Sequence, residues 1–181
     1  MSLAFADNVQ KVGTITVSNP AVAVNVILGW QPRYVRAYNV NNLVAYEYFA
    51  GMAAGKSLDN ANDSDTQNSL NAAGSITLYA GRAAGAAVSG TVSVTAASSV
   101  VTGSSTNFVG ELAVGDKVVV NGETRSVVSI TSSTSMVVDK AYAASAATVA
   151  LFDVAGKGPG VTLGTDICDT AADVVYWLAI R

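Results

Sequence analysis

The dipeptide Asn121-Gly122, set between "KVVV" and "ETRSVVSI", constrains this chain more than any other feature. A type I′ turn needs positive φ at both central residues, which Asn and Gly adopt at least cost, and its twist suits two antiparallel strands. Lys117–Val120 and Glu123–Ile130 are therefore expected to pair as a hairpin. A second reversal through Ser132-Ser133-Thr134 then brings Ile130 against Met136–Val138. "SVVTG" upstream and "ATVALF" downstream extend this meander into a small β-module.

The rest of the chain carries the same signals. "KVGTITVS" (Lys11–Ser18) alternates, with Val12, Ile15 and Val17 as its apolar points. "AVAVNVILGW" (Ala21–Trp30) is a longer apolar run whose β-branched residues favour strand over helix. Gln31-Pro32 interrupts it; "RYVRAYNV" (Arg33–Val40) and "LVAYEYFA" (Leu43–Ala50) follow as a strand pair turning at Asn41-Asn42. "GSITLYA" (Gly74–Ala80) and "DVVYWLAIR" (Asp173–Arg181) complete the set, and no stretch shows a sustained, capped helical period. The expected fold class is all-β.

Two Gly/Ala-rich connectors, "GRAAGAAVSG" (Gly81–Gly90) and "VAGKGPG" (Val154–Gly160), bracket the module. Such punctuation marks loops, and exposed loop tips are where insertions are tolerated. The simplest division is a split β-sandwich or barrel of residues 1–82 and 158–181, with residues 88–153 as a second, small β-barrel-like domain inserted in one loop. Charged residues are 13% of the chain, about half the usual share of roughly 25%. Much of the surface is then expected either to be covered by other chains or to carry Ser, Thr and Asn in place of charge.

Composition also removes function classes. A net charge of −3 without a basic run speaks against a nucleic-acid surface. "MSLAFADNVQKVG" lacks the basic start and apolar core of a signal peptide, and "PAVAVNVILGW" is too short to span a membrane. With no histidine and a single Cys168, imidazole-based catalysis, a zinc site and an intrachain disulfide have no ligands to use. "AGMAAGKS" (Ala50–Ser57) approaches a phosphate-binding loop, but Ala50 holds the place of the first glycine and "LDNANDSDTQNS" supplies no helix N-terminus. Asp59, Asp63 and Asp65 lack the central Gly and closing Glu of a calcium-binding hand and are expected to lie in a solvated polar loop. Glu111, Asp116, Glu123, Asp139 and Asp153 have few aromatics around them to form a glycosidase cleft. No catalytic residue, cofactor or metal site is expected, and the chain reads as a non-enzyme.

What remains is an interface. Tyr34 and Tyr38, with Arg36 between them, alternate along one strand and form either ordinary sheet packing or an outward contact stripe. Leu3 and Phe5 in "MSLAFADNVQ" are further apolar anchors for a neighbouring chain.

Gly29–Val35 (G-W-Q-P-R-Y-V), Glu47–Ala53 (E-Y-F-A-G-M-A), Ile76–Leu78, Gly160–Asp166 (G-V-T-L-G-T-D) and Tyr176–Ala179 together resemble a pattern of small virion proteins of tailed bacteriophages. This pattern covers the split domain, about half the chain. Val101–Phe108 (V-T-G-S-S-T-N-F) and Leu112–Ile130 separately resemble a β-module of phage head, tail and baseplate proteins. The resemblance implies a capsid decoration (cement) protein, made in the bacterial host cytoplasm and mounted on the outer surface of the phage head. Its partners would be the major capsid protein and sister copies, as a homotrimer, with the module projecting outward. A tail, fibre or baseplate component is the alternative it leaves open.

Overall fold

The computed structural model describes residues 9–53, 56–60, 69–71 and 75–181. Among these, sixteen strands and one helical turn occur in chain order. They are β1 (Gln10–Thr16), β2 (Val24–Ile27), β3 (Tyr34–Asn39), β4 (Val44–Phe49), β5 (Ser57–Asn60), β6 (Ser69–Asn71), β7 (Ile76–Tyr79), β8 (Thr91–Val94) and β9 (Val100–Ser104). After α1 (Phe108–Glu111) come β10 (Lys117–Val120), β11 (Glu123–Ser132), β12 (Ser135–Val138), β13 (Ala146–Val149), β14 (Leu151–Asp153), β15 (Gly160–Leu163) and β16 (Val174–Ile180). The protein is all-β. It divides into two compact units, Met1–Ala80 with Gly158–Arg181 and Gly81–Lys157. Gly81 and Arg82, grouped with the split domain by sequence, belong to the inserted unit, where Arg82 bridges Lys157 and is ion-paired to Asp153.

The split unit has a six-stranded sheet, ordered β1-β16-β3-β4-β5-β6, and a three-stranded sheet, β2-β15-β7. Period-2 alternation turns one face of each sheet into a single core. Val35 and Ala37 of β3, Tyr46 and Tyr48 of β4, Val175 and Ala179 of β16, Ile76 of β7, and Val161 and Leu163 of β15 are all buried in it. The long run Ala21–Trp30 is a strand only at β2, because Ala21 and Gly29 take positive φ and bend the chain at either side. β7 and β15 are antiparallel neighbours with Tyr79 opposite Gly160, so the whole inserted unit replaces a hairpin loop between them. At Gly160 a Cβ would lie 2.0 Å from the Val26 carbonyl oxygen; only glycine lets β15 sit this close to β2.

The inserted unit is a seven-stranded sheet, ordered β13-β8-β9-β12-β11-β10-β14, curled into a nearly closed barrel. Its two ends, β13 and β14, are separated in the chain only by Ala150. The segment leading to β8 lies along the free side of β14, with Val88 N donating to Leu151 O and Asp153 N to Ala86 O. Asn121 and Gly122 both have positive φ and join β10 to β11 in the expected register, Val120 opposite Glu123. The second hairpin pairs Ile130 with Met136, with bulges on either side.

The motif residues of this module each carry a piece of the fold. A Cβ on Gly103 would sit 2.0 Å from Thr106 Oγ1, and that hydroxyl donates to Ser133 O at 2.8 Å. Asn107 caps α1 by accepting from Gly110 N; this turn, which the sequence pattern did not reveal, swings Phe108 into the barrel core. Four residues are too few to leave a helical period.

Candidate interaction surface

The outer face of the six-stranded sheet follows from its register. Across β1, β16, β3 and β4, Val12 lies beside Leu178, Leu178 beside Arg36, and Arg36 beside Glu47. The next row runs Thr14, Tyr176, Tyr38, Ala45. These residues alternate with the buried Val35, Ala37, Val175 and Ala179, so they point away from the core. Val12 is 71% and Tyr176 53% exposed. Val12, Thr14, Arg36, Tyr38, Tyr176 and Leu178 line an open, mainly apolar groove of about 340 Å³.

Two side-chain contacts lie on the same face. Tyr34 and Phe49, opposite one another on β3 and β4, have ring centroids 5.1 Å apart and tilted. Arg36 Nε approaches Glu47 Oε1 at 3.4 Å. Burial first, and then the Glu47 carboxylate, raise the Tyr34 phenol, so it is a hydrogen-bond donor across the physiological range. Beneath the face, Gly13 makes room for the Trp177 indole, which would lie 2.4 Å from a Cβ there.

A clamp of asparagines fixes the far end of β3 and β16. Buried Asn39 donates to Asp173 Oδ2 at 2.7 Å and to Ile167 O, while its own oxygen accepts from Asn41 N and Asn42 N. Asn42 spans Asp169 and Asp173, and Asn41 accepts from Val174 N. The local field is negative. Burial pushes the Cys168 thiol up to about 11, helped by Asp169 and Asp173, and burial followed by Asp59, Asp166 and Asp169 raises Tyr46. Cys168 is thus a protonated, enclosed thiol and a poor nucleophile.

Tyr34, Arg36 and Tyr38, for which the sequence left ordinary sheet packing and an outward stripe both open, stand together on this face. Leu3 and Phe5 lie outside the described residues. Lys56 precedes β5, so a strand and not a helix follows the phosphate-loop look-alike. Asp59 lies in that same strand, opposite Tyr46, and not in the polar loop expected for it; Asp63 and Asp65 lie outside the described residues. The five module carboxylates are each engaged, and Glu111 and Asp153 share Arg82. Glu111 holds Ser89 N, Asp116 holds Ala113 N and Lys157, Glu123 holds Ala143 N and Arg125, Asp139 holds Ser126 N, and Asp153 holds Arg82. Among the described residues no three metal-ligating side chains converge, and no helix is long and apolar enough to cross a membrane.

The sequence reading missed the other half of the face: Val12, Thr14, Glu47 and Leu178. One signal was available. Val12 is out of phase with Ile15 and Val17, so in a strand it must point to the opposite side. No family model, no curated protein and no solved structure matches this chain.

Proposed function

We propose that this chain is a structural protein of a tailed-phage virion, a capsid decoration protein that binds and stabilises the assembled head shell. The observation that carries the reading is the exposed aromatic face on the split unit, the part of the chain that bears the virion-protein motifs. Low overall charge supports the same reading, since a surface built to be covered needs less of it. A protein that binds assembled shell and not free subunits raises the apparent stability of the shell by mass action. Repetition over many equivalent sites adds avidity. In this role the chain works by contact and performs no chemistry. The split unit holds the shell and sister copies, with Leu3 and Phe5 as anchors to the shell.

Co-sedimentation with shells stripped of the protein tests this. Full-length chain should pellet with the shells and raise their melting temperature. Removing Met1–Asn8, which stops short of β1, should weaken pelleting while the circular dichroism of the chain stays unchanged. Replacing Gly81–Lys157 by a short turn should leave pelleting nearly intact. Loss of binding only in the latter variant would favour a tail, fibre or baseplate role in which the barrel makes the contact.

A further inference from the structure

We propose that the outer face of the six-stranded sheet is the contact between two copies of this chain, with Arg36 of each copy meeting Glu47 of the other. The first ground is size and polarity. Strands about 4.8 Å apart rising about 3.4 Å per residue make the β1-β16-β3-β4 face roughly 400 Å² in projection. The face is mainly but not wholly apolar, with Thr14, Arg36 and Glu47 among its residues, and a patch of about this size on a soluble protein is often functional. A stable contact covers about 800 Å² per partner, so the face supplies its centre and surrounding loops its rim.

The second ground is charge self-complementarity. Arg36 and Glu47 sit side by side among Tyr34, Tyr38, Phe49 and Leu178, and are 52% and 29% exposed. Arg36 uses its Nε on Glu47, and no hydrogen bond from its two terminal nitrogens occurs among the described residues. A guanidinium fork with open donors suits a carboxylate from outside. A face bearing one acid and one base presents the opposite order to its own two-fold mate, so both pairs form at once. Burying this pair against a neutral apolar partner would leave the terminal nitrogens of Arg36 without an acceptor, which disfavours a purely hydrophobic occupant.

The contact needs only purified protein and stands whether or not the virion reading does. Sedimentation equilibrium of the full chain measures it. Wild type should be a dimer. Arg36→Glu, which places two carboxylates on the face, and Glu47→Arg, which places two guanidiniums there, should each weaken self-association at least tenfold. Mixing the two variants should restore a dimer of wild-type strength, because the charges then match across the contact and not within a copy. Tyr176→Lys, at an exposed site, should dissociate the dimer while circular dichroism shows the fold intact. A monomeric wild type would overturn the proposal. So would an oligomer of any size whose mass neither charge variant changes, or variants that stay apart when mixed.

Discussion

The barrel of Gly81–Lys157 uses its carboxylates on itself, whereas the split sandwich leaves an aromatic sheet face open. All five carboxylates of the barrel hold a backbone N–H or a basic side chain of the same unit. Its sheet comes close to closing, which removes the edges at which strands associate. The sandwich keeps Val12 on β1, Tyr176 on β16 and Phe49 on β4 exposed on an open sheet. The difference shows two ways of spending the same low charge. In the barrel the few charges finish the fold, and in the sandwich Arg36 and Glu47 are left among aromatics where a partner can meet them. One unit engages all its carboxylates within itself; the other leaves an apolar face exposed.

The largest test of that contrast is excision. The insertion occupies the place of a hairpin loop between β7 and β15, where Tyr79 faces Gly160. Replacing Gly81–Lys157 by Asn-Gly should leave a folded sandwich, because a short turn rejoins strands that are already paired. Both tryptophans, Trp30 and Trp177, stay with this unit, so their fluorescence transition in urea should survive the excision. An insoluble or unstructured product would mean that the two units share one folding transition.

The next effect is confined to the barrel. Asp153 is fully buried and pairs with Arg82 at 2.8 Å, and Arg82 also reaches the Glu111 carbonyl. Asp153→Ala leaves this guanidinium only the Glu111 carbonyl and the Glu111 carboxylate, the latter 3.7 Å away, so the loss sits at the lower end, about 3 kcal/mol, of that for a broken buried pair. In a domain of this size each kcal/mol moves the midpoint by about 4–8 °C, so the barrel's melting should fall by more than about 10 °C. The sandwich should not respond. Cys168, the single cysteine, is buried there and its labelling by a thiol reagent reports that unit alone. Far-ultraviolet circular dichroism should show an early new transition while the labelling rate is unchanged. Faster labelling in the variant would show that opening the barrel opens the sandwich.

The contrast between the units also governed what could be read from the sequence. The barrel's hairpins were legible because Asn121-Gly122 sets a register locally and each strand has one apolar side, as in Val118 and Val120. β8 was not, since "TVSV" is short and its pairing with β9 is decided by the turn at Ala97, whose positive φ is no habit of alanine. In the sandwich β1, β2, β3, β4, β7 and β16 were legible, whereas β5, β6 and β15, which lie in polar or glycine-rich stretches, were not, and neither were the faces. β16 reads Val-Val-Tyr-Trp-Leu-Ala-Ile, apolar on both sides, so alternation alone does not say whether Tyr176 or Trp177 faces the core. Only the pairing with β1, where Gly13 makes room for the Trp177 ring, resolves it. An exposed face that is apolar reads like a core, and this hides it in a single sequence.

The smallest expected effect has the opposite sign from the others. Tyr142 is the barrel's only tyrosine. Its ring is buried under the Arg125 guanidinium, 5.0 Å from the ring centroid, and its hydroxyl has no hydrogen-bond partner. A buried hydroxyl without a partner is a cost, so Tyr142→Phe should stabilise the barrel by up to about 1 kcal/mol. The ring and its cation contact remain. The pH dependence sharpens the sign. Burial pushes the Tyr142 phenol up to about 12, with Arg125 opposing and Glu123 and Asp139 assisting. An unfolded tyrosine ionises near pH 10. The neutral phenol therefore favours the fold fully below about pH 10, and that contribution is lost as pH rises toward 12. Phenylalanine has no proton to lose, so the variant's advantage over wild type should widen between pH 10 and 12. Urea unfolding followed by circular dichroism at pH 8 and at about pH 11 decides it. A variant less stable than wild type at pH 8 would mean that the hydroxyl is satisfied within the barrel. An advantage that stays constant with pH would mean that Tyr142 does not titrate with unfolding.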